Sequence, residues 1–322
     1  MAAGDDAILA FRPPSLGRMR LWLTLARVWH RPSFTGLEHV DPSRPMMFVG
    51  NHTLYGVQDV PHILYELARV RGVFPRTLAD RAHFAIPVWG ELLTAAGCVK
   101  GTRENCMALM RAGQHVMVFP GGAREVFKRK GESYRLIWKE RIGFVQLAAA
   151  YGYTITPFAS LGGDDSLQIL LDAGDIMKSP LGRLLRASGV AEKYLRGGEE
   201  LPPLVRGVGL TWVPKPERFY VSFGRPISTR RYRRRTEDVD AMRELRSEVA
   251  SSIEAQLAQL QRVRSEIVGG GAAESRVAPA WDGLVAGFET QVDRVKRRLG
   301  GASEARLGKS ACRSRTIRRT DV

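Results

Sequence analysis

MMFVGNHTLYGVQD, residues 46–59, decides the fold. Four large apolar residues and a glycine are followed at once by Asn51, His52 and Thr53, and then by Gly56. A short apolar run that stops at polar residues and a glycine reads as a buried strand delivering a loop. The same pattern recurs outward from this stretch, in CVK (98–100), HVMVFP (115–120), TITPFASL (154–161) and FYVSFG (219–224). Helical patterns lie between them at 57–71, 84–97, 103–113, 140–152 and 180–196. Strand and helix in alternation predict an α/β domain of three layers around a largely parallel sheet, over about residues 35–232.

In such a sheet, ligands bind beyond the carboxyl ends of the strands. The chemically informative residues fall there. His52 is one residue past the first strand, and a histidine so placed can serve as a general base or be satisfied by backbone alone. Asp59 could orient it if the segment between them is a turn, which Gly56 permits; two full helical turns would hold the pair about 10 Å apart. Arg103, in GTREN, opens a helix, where it suits an anion such as a phosphate or an ordinary first-turn ion pair. In FPGGARE (119–125), Gly121 and Gly122 allow a close backbone approach to a ligand or simply form a tight turn. Arg124 offers a planar fork of donors, and Glu125 is a second candidate partner for a histidine. Asp164 and Asp165 could bind a cation but also fit a plain glycine-rich loop. No G-x-S-x-G elbow, P-loop or metal-ligand spacing of His and Cys is present, so neither a covalent serine mechanism nor a metal site is expected.

Composition narrows the class. The 322 residues are 44% hydrophobic and 25% charged, which describes a folded chain. Lys and Arg number 49 against 33 Asp and Glu, a formal charge of +16 that suits nucleic acid, an anionic membrane or a phosphorylated substrate. Three cysteines form no disulfide framework and point to a reduced, cytoplasmic setting. SLGRMRLWLTLARVWHR (15–31) reads as an amphipathic helix carrying tryptophans and arginines, either interfacial or packed on its own domain. No run is long and apolar enough for a spanning helix. The chain thus divides into an amphipathic segment (1–34), the α/β domain (35–232) and a C-terminal helix (233–268). A linker, a basic helix and a disordered tail follow (269–322).

Four blocks, taken in order, resemble the glycerolipid acyltransferase superfamily of PlsC-like enzymes: FTGLEHVDPSRPMMFVGNHTLYG, GCVKGTRENC, VMVFPGGAREVF and ITPFASLG. The FPGG of the third is similar to the diacylglycerol-acyltransferase-like and phytyl-ester-synthase-like branch. Gly121 stands where enzymes with phosphorylated acceptors usually carry glutamate. The resemblance makes His52 the catalytic histidine, and Arg103, Gly122, Arg124 and Pro157 match its other motif positions. The family's acid follows its histidine by five positions, which here falls on Val57; Asp59 is two residues late. What the resemblance implies is an O-acyltransferase with no cofactor, using acyl-CoA as donor and a lipid hydroxyl as acceptor. Asp59 or Glu125 would be the acid partner, or His52 would act alone, and Arg103 and Arg124 would hold anionic groups. Backbone N–H groups at Gly121 and Gly122 would stabilise the oxyanion. Loss of glutamate at 121 favours a mono- or diacylglycerol-type acceptor over lysophosphatidic acid. The protein is expected on the inner face of the membrane, held by anionic lipid and not by nucleic acid. The alternatives are a lysophosphatidic-acid-type phospholipid acyltransferase and a non-catalytic lipid- or nucleic-acid-binding basic protein.

Overall fold

The structure, a computed structural model, describes residues 8–269. The expected linker, basic helix and tail beyond 269 lie outside the described residues. A seven-stranded sheet runs in the order β1-β9-β6-β2-β5-β3-β4. Its members are β1 (Ser33–Thr35), β2 (Met46–Gly50), β3 (Arg76–Ala79), β4 (Val99–Lys100), β5 (Val116–Val118), β6 (Thr154–Leu161) and β9 (Tyr220–Phe223). The five strands from β6 to β4 are mutually parallel; β9 runs antiparallel to β6, and β1 follows β9. A separate antiparallel pair joins β7 (Gln168–Leu171) to β8 (Leu204–Arg206).

β2 lies at the centre, and all five of its residues are buried. A strand covered on both faces has no use for alternation, which is why MMFVG is continuous. From β2 the chain builds β3, β4 and β5 on one side and then crosses to β6 on the other. The crevice therefore opens at the carboxyl end of β2. β6 tolerates Pro157 at its middle because the missing N–H falls where pairing to β9 changes. Phe158 to Leu161 pair with β9, while Ile155 bridges to Ile227.

Helices cover both faces. On one side, α1 (Leu16–His30) and α2 (Val60–Arg71) pack over Phe48, Phe158 and Phe223. On the other lie α4 (Arg103–Arg111), α6 (Gly143–Tyr151) and α10 (Val239–Gly269). α10 buries Met242, Leu245, Val249, Ile253, Leu257 and Leu260, one stripe at three- and four-residue spacing. Each such side chain is worth about 1.5–3 kcal/mol when withdrawn from water. This helix thus belongs to the same core as the sheet, and β1 extends the sheet to Ser33.

Several expected helices are shorter for local reasons. Residues 57–59 stay in the loop, and α2 starts at Val60 with a proline in its first turn. The segment 84–97 forms a 3-10 turn (Arg81–Ala85) and then α3 (Trp89–Ala95), interrupted where Val88 takes φ +64°. The segment 180–196 divides into α8 (Pro180–Ala187) and α9 (Val190–Leu195) at Gly189, whose φ is +71°. The remaining short helices are α5 (Gly122–Val126) and α7 (Ala173–Lys178).

Candidate active site

The carboxyl end of β2 is held from three sides. The Asn51 side chain accepts from the Ser160 N–H (2.8 Å) and donates to the Ser160 carbonyl (2.9 Å), tying the loop to β6. The His52 N–H donates to Glu125 Oε1 at 2.8 Å, tying it to the segment after β5. The Lys128 ammonium donates to the His52 carbonyl (2.6 Å) and to Asp164 Oδ2 (2.7 Å). Asp164 in turn accepts from the N–H groups of Leu54 and Tyr134, each at 2.7 Å. Lys128 and Asp164 are almost fully buried. Residues 162–167 form the expected loop, and its two carboxylates are taken up within the chain: Asp164 by Lys128, and Asp165 by Tyr134 Oη and Arg264.

After His52 the chain turns. The Gly56 N–H donates to the Thr53 carbonyl at 2.9 Å, and Tyr55 and Gly56 both take φ +61°. Gly56 is needed for more than conformation: a Cβ there would lie 2.1 Å from Cε1 of His52. The imidazole also stacks on Phe119 at a centroid distance of 4.2 Å. Burial, with the charges of Lys128 and His83 adding to it, pushes this imidazole down to about 3, so the ring is neutral at physiological pH.

Asp59 sits at the end of this turn, buried, and does not hydrogen-bond to His52. Its Oδ1 accepts from Thr53 Oγ1 at 3.1 Å. Its Oδ2, like His52 Nδ1, is buried without a hydrogen-bond partner. Burial raises the Asp59 carboxyl above the usual range. Glu125 is likewise fully buried, reaches the backbone of His52 and not its ring, and is pushed up by burial to about 7.

Of the other sequence candidates, Arg124 and Gly122 have the groups expected to meet a ligand engaged within the chain. Arg124 is buried, and two of its guanidinium nitrogens donate to Glu132 at 2.9 and 2.5 Å, so its fork is occupied by a carboxylate within the chain. Arg103 is exposed in the first turn of α4, behind the Thr102 cap, and is not in the cavity wall described below. Pro157 is inside β6, where its carbonyl accepts from the Gly224 N–H at 2.8 Å. The N–H of Gly122 is spent on the Phe119 carbonyl at 3.1 Å and is not available to an oxyanion. Gly122 takes φ +53°. Gly121 has ordinary backbone angles but no room: a Cβ would lie 1.8 Å from Glu125 Oε2. Any side chain at 121 collides with the carboxylate of Glu125.

A cavity of about 450 Å³ opens in front of His52. Its wall is overwhelmingly apolar, formed by Met19, Trp22 and Leu23 of α1, Val60 and Leu64 of α2, Trp89, Leu92 and Leu93 of α3, and Phe74, Phe119 and Phe127. His52, Asp80, His83 and Glu200, with Tyr55 and Cys98, supply the titratable groups. The N-terminal helix is thus a wall of the cavity. A neutral imidazole at the end of an apolar hollow can take a proton from a hydroxyl while the hollow holds a hydrocarbon chain. Among the described residues, no cluster of His, Cys, Asp and Glu is arranged to hold a metal ion, and no helix is long and apolar enough to cross a membrane.

Sequence reasoning missed Lys128, Asp164 as its partner, and Phe119 as the platform under His52. The ion pair joins residues 36 apart through a fold contact with no sequence signal.

Residues 31–161 match the family model described as Acyltransferase. Phytyl ester synthase 1, chloroplastic, of Arabidopsis thaliana is 33% identical over 241 residues, covering 72% of this chain and 34% of that protein. The "DGAT1/2-independent enzyme synthesizing storage lipids" of Homo sapiens is 30% identical over 152 residues, 44% of this chain and 46% of that one. The crystal structure of the 1-acyl-sn-glycerophosphate (LPA) acyltransferase PlsC from Thermotoga maritima aligns at a TM-score of 0.39 and 16% identity, over 72% of this chain and 79% of that one. The chain spans about a third of the length of the plant relative and about half that of the human one. The matched segment runs from β1 to the end of β6, carries His52, Asp59 and Gly121 on the turns just described and Glu125 in α5, and belongs to the family described as Acyltransferase.

Proposed function

We propose that the protein is an O-acyltransferase that moves a fatty acyl group from acyl-CoA to the hydroxyl of a glycerolipid or related lipid alcohol, with His52 as general base. The observation that carries this reading is the apolar cavity that ends at a neutral, stacked imidazole. His52 takes the acceptor's hydroxyl proton as the oxygen attacks the thioester carbonyl. The C–O bond forms, the C–S bond breaks, and the departing thiolate recovers the proton from the imidazolium. Direct transfer needs no acyl-enzyme. Asp59, whose Oδ2 is unpartnered, is the carboxylate that would stabilise the imidazolium after a small closure of the turn; Glu125 holds the backbone of His52.

The apolar wall, and the absence of space for a carboxylate at Gly121, favour a mono- or diacylglycerol-type acceptor or a long-chain alcohol. With Arg124 occupied by Glu132, the exposed Arg103 is the family-matched cation left to meet a donor phosphate. The protein works as a peripheral protein on an anionic membrane face, reached through α1, whose inward residues line the cavity.

The test is thiol release from acyl-CoA with diacylglycerol, fatty alcohol and lysophosphatidic acid as separate acceptors. His52→Ala should lose activity while keeping its unfolding transition. Undiminished release by His52→Ala would overturn the mechanism, and release with lysophosphatidic acid alone would overturn the acceptor class.

A further inference from the structure

α1 has two apolar faces. Met19 and Leu23 turn inward, whereas Leu21, Leu25 and Val28, spaced by four and three, are 74%, 84% and 73% exposed. A helix lying on a water-soluble surface ordinarily shows polar residues on its outer face. A second exposed apolar group lies at the tip of the segment 207–213, where Leu210, Trp212 and Val213 are 62%, 76% and 53% exposed. This tip is not loose chain. The Gly207 N–H donates to the Thr211 carbonyl (2.7 Å), the Val208 N–H to the Val213 carbonyl (2.8 Å), and Thr211 Oγ1 to the Val208 carbonyl (2.8 Å). A Cβ at Gly207 would lie 1.7 Å from the Val213 carbonyl oxygen, so the crossing closes only on glycine. The two groups are fastened to each other, because Trp29 Nε1 of α1 donates to the Pro214 carbonyl at 2.9 Å.

We infer that the 207–213 tip is a second membrane-inserting element, and that with the outer stripe of α1 it forms a two-armed surface that docks on an anionic lipid bilayer. This rests on the lipid-acceptor reading above and adds the element that reading lacks. Three observations favour lipid over another occupant. Arg18, Arg20 and Arg31 are exposed on and beside the stripe, where anionic headgroups would meet them. A second copy seated symmetrically on the same surface would bring those arginines against their own counterparts. Trp22 of α1 is both 62% exposed and part of the cavity wall, so a bilayer on this surface stands at the mouth of the hollow that ends at His52. A tryptophan on a hydrogen-bonded tip suits the headgroup boundary, and a tip already ordered loses little freedom on insertion.

The experiment is co-sedimentation of the full chain with phosphatidylcholine vesicles, with and without phosphatidylglycerol. Leu210→Ser/Trp212→Ser should weaken partition to the anionic vesicles by at least about tenfold, since each large apolar side chain withdrawn is worth about that factor. Its unfolding transition and its thiol release with detergent-dispersed substrate should stay at wild-type values. Leu25→Ser/Val28→Ser should weaken partition to a similar degree. In vesicles with brominated acyl chains, Trp212→Phe should bind as wild type does but lose part of the tryptophan quenching.

Wild-type partition by the tip variant would overturn the inference while leaving the enzymatic reading intact. A dimer in solution that either variant dissolves, with no vesicle binding by wild type, would also overturn it. Vesicle binding that depends on the tip, with no acyl transfer to any acceptor, would uphold the docking surface and sink the enzymatic reading instead.

Discussion

Gly56→Ala tests the placement of His52 without touching the imidazole. The new Cβ would stand 2.1 Å from Cε1 and 2.5 Å from Nδ1, about 1 Å short of the ordinary contact that begins near 3.4 Å. The ring is already stacked on Phe119, so it cannot move freely. Alanine at φ +61° adds about 1–2 kcal/mol of backbone strain, and forcing a methyl into a filled site about 1–3 kcal/mol. We expect a loss of about 2–5 kcal/mol in stability, read by urea unfolding. A displacement of about 1 Å at the reacting group costs on the order of a hundredfold in rate, so kcat for thiol release should fall by about that factor. The control is the same substitution in His52→Ala. With the ring gone the methyl has space, and only the backbone strain remains, so the two changes should couple by about 1–3 kcal/mol. A Gly56→Ala enzyme with wild-type kcat would refute the assignment of His52 in its present position. Equal destabilisation in both backgrounds would refute the steric argument.

Three further outcomes are expected. Lys128→Met leaves Asp164 buried without its cation and should destabilise by about 3–5 kcal/mol in urea unfolding, with Lys128→Met/Asp164→Asn recovering part of it; a loss below about 1 kcal/mol would contradict the buried pair. Glu125 titrates near 4.5 when unfolded and near 7 when folded, so between these pH values the native state holds the extra proton and stability falls as pH rises. Glu125→Gln should remove that slope, worth on the order of 3 kcal/mol across the window, and a slope unchanged in the variant would refute the buried carboxyl. Because His52 is held near 3, an inflection of kcat/KM near neutrality is expected from Glu125 and should vanish in Glu125→Gln; one near 6.5 that survives the substitution would show a solvated imidazole.

How much of this was legible depends on how local each signal is. MMFVG and TITPFASL span 46–50 and 154–161 as read, because buried parallel strands write themselves as unbroken apolar runs. β3 was missed because its first residue is Arg76, a buried cation whose Nε finds the Gly97 carbonyl at 2.9 Å. Only the fold reveals that partner. The strand-end location of His52 and of the glycine pair was readable, since topology places ligand sites there. The occupancy of Arg124 was not, because Glu132 sits beyond a loop whose path the sequence does not declare. The reason for Gly121 was also hidden. The resemblance marked the lost glutamate, but the cause visible in the structure is Glu125 filling the space beside it.

The edge strand β1 pairs with β9 in register from Ser33 to Thr35 against Tyr220 to Ser222. The Phe219 N–H donates to the His30 carbonyl at 2.9 Å, and the Ser33 N–H to the Phe219 carbonyl at 2.8 Å. The helix that walls the cavity is therefore stitched to the sheet by residues that leave the ribosome almost two hundred positions after it. During synthesis, at about 5–20 residues per second, an arginine- and tryptophan-bearing apolar helix waits on the order of ten seconds or more for its strand. The nascent chain thus exposes an amphipathic helix before its sheet partner exists, and any surface that binds that helix first competes with β9 for it.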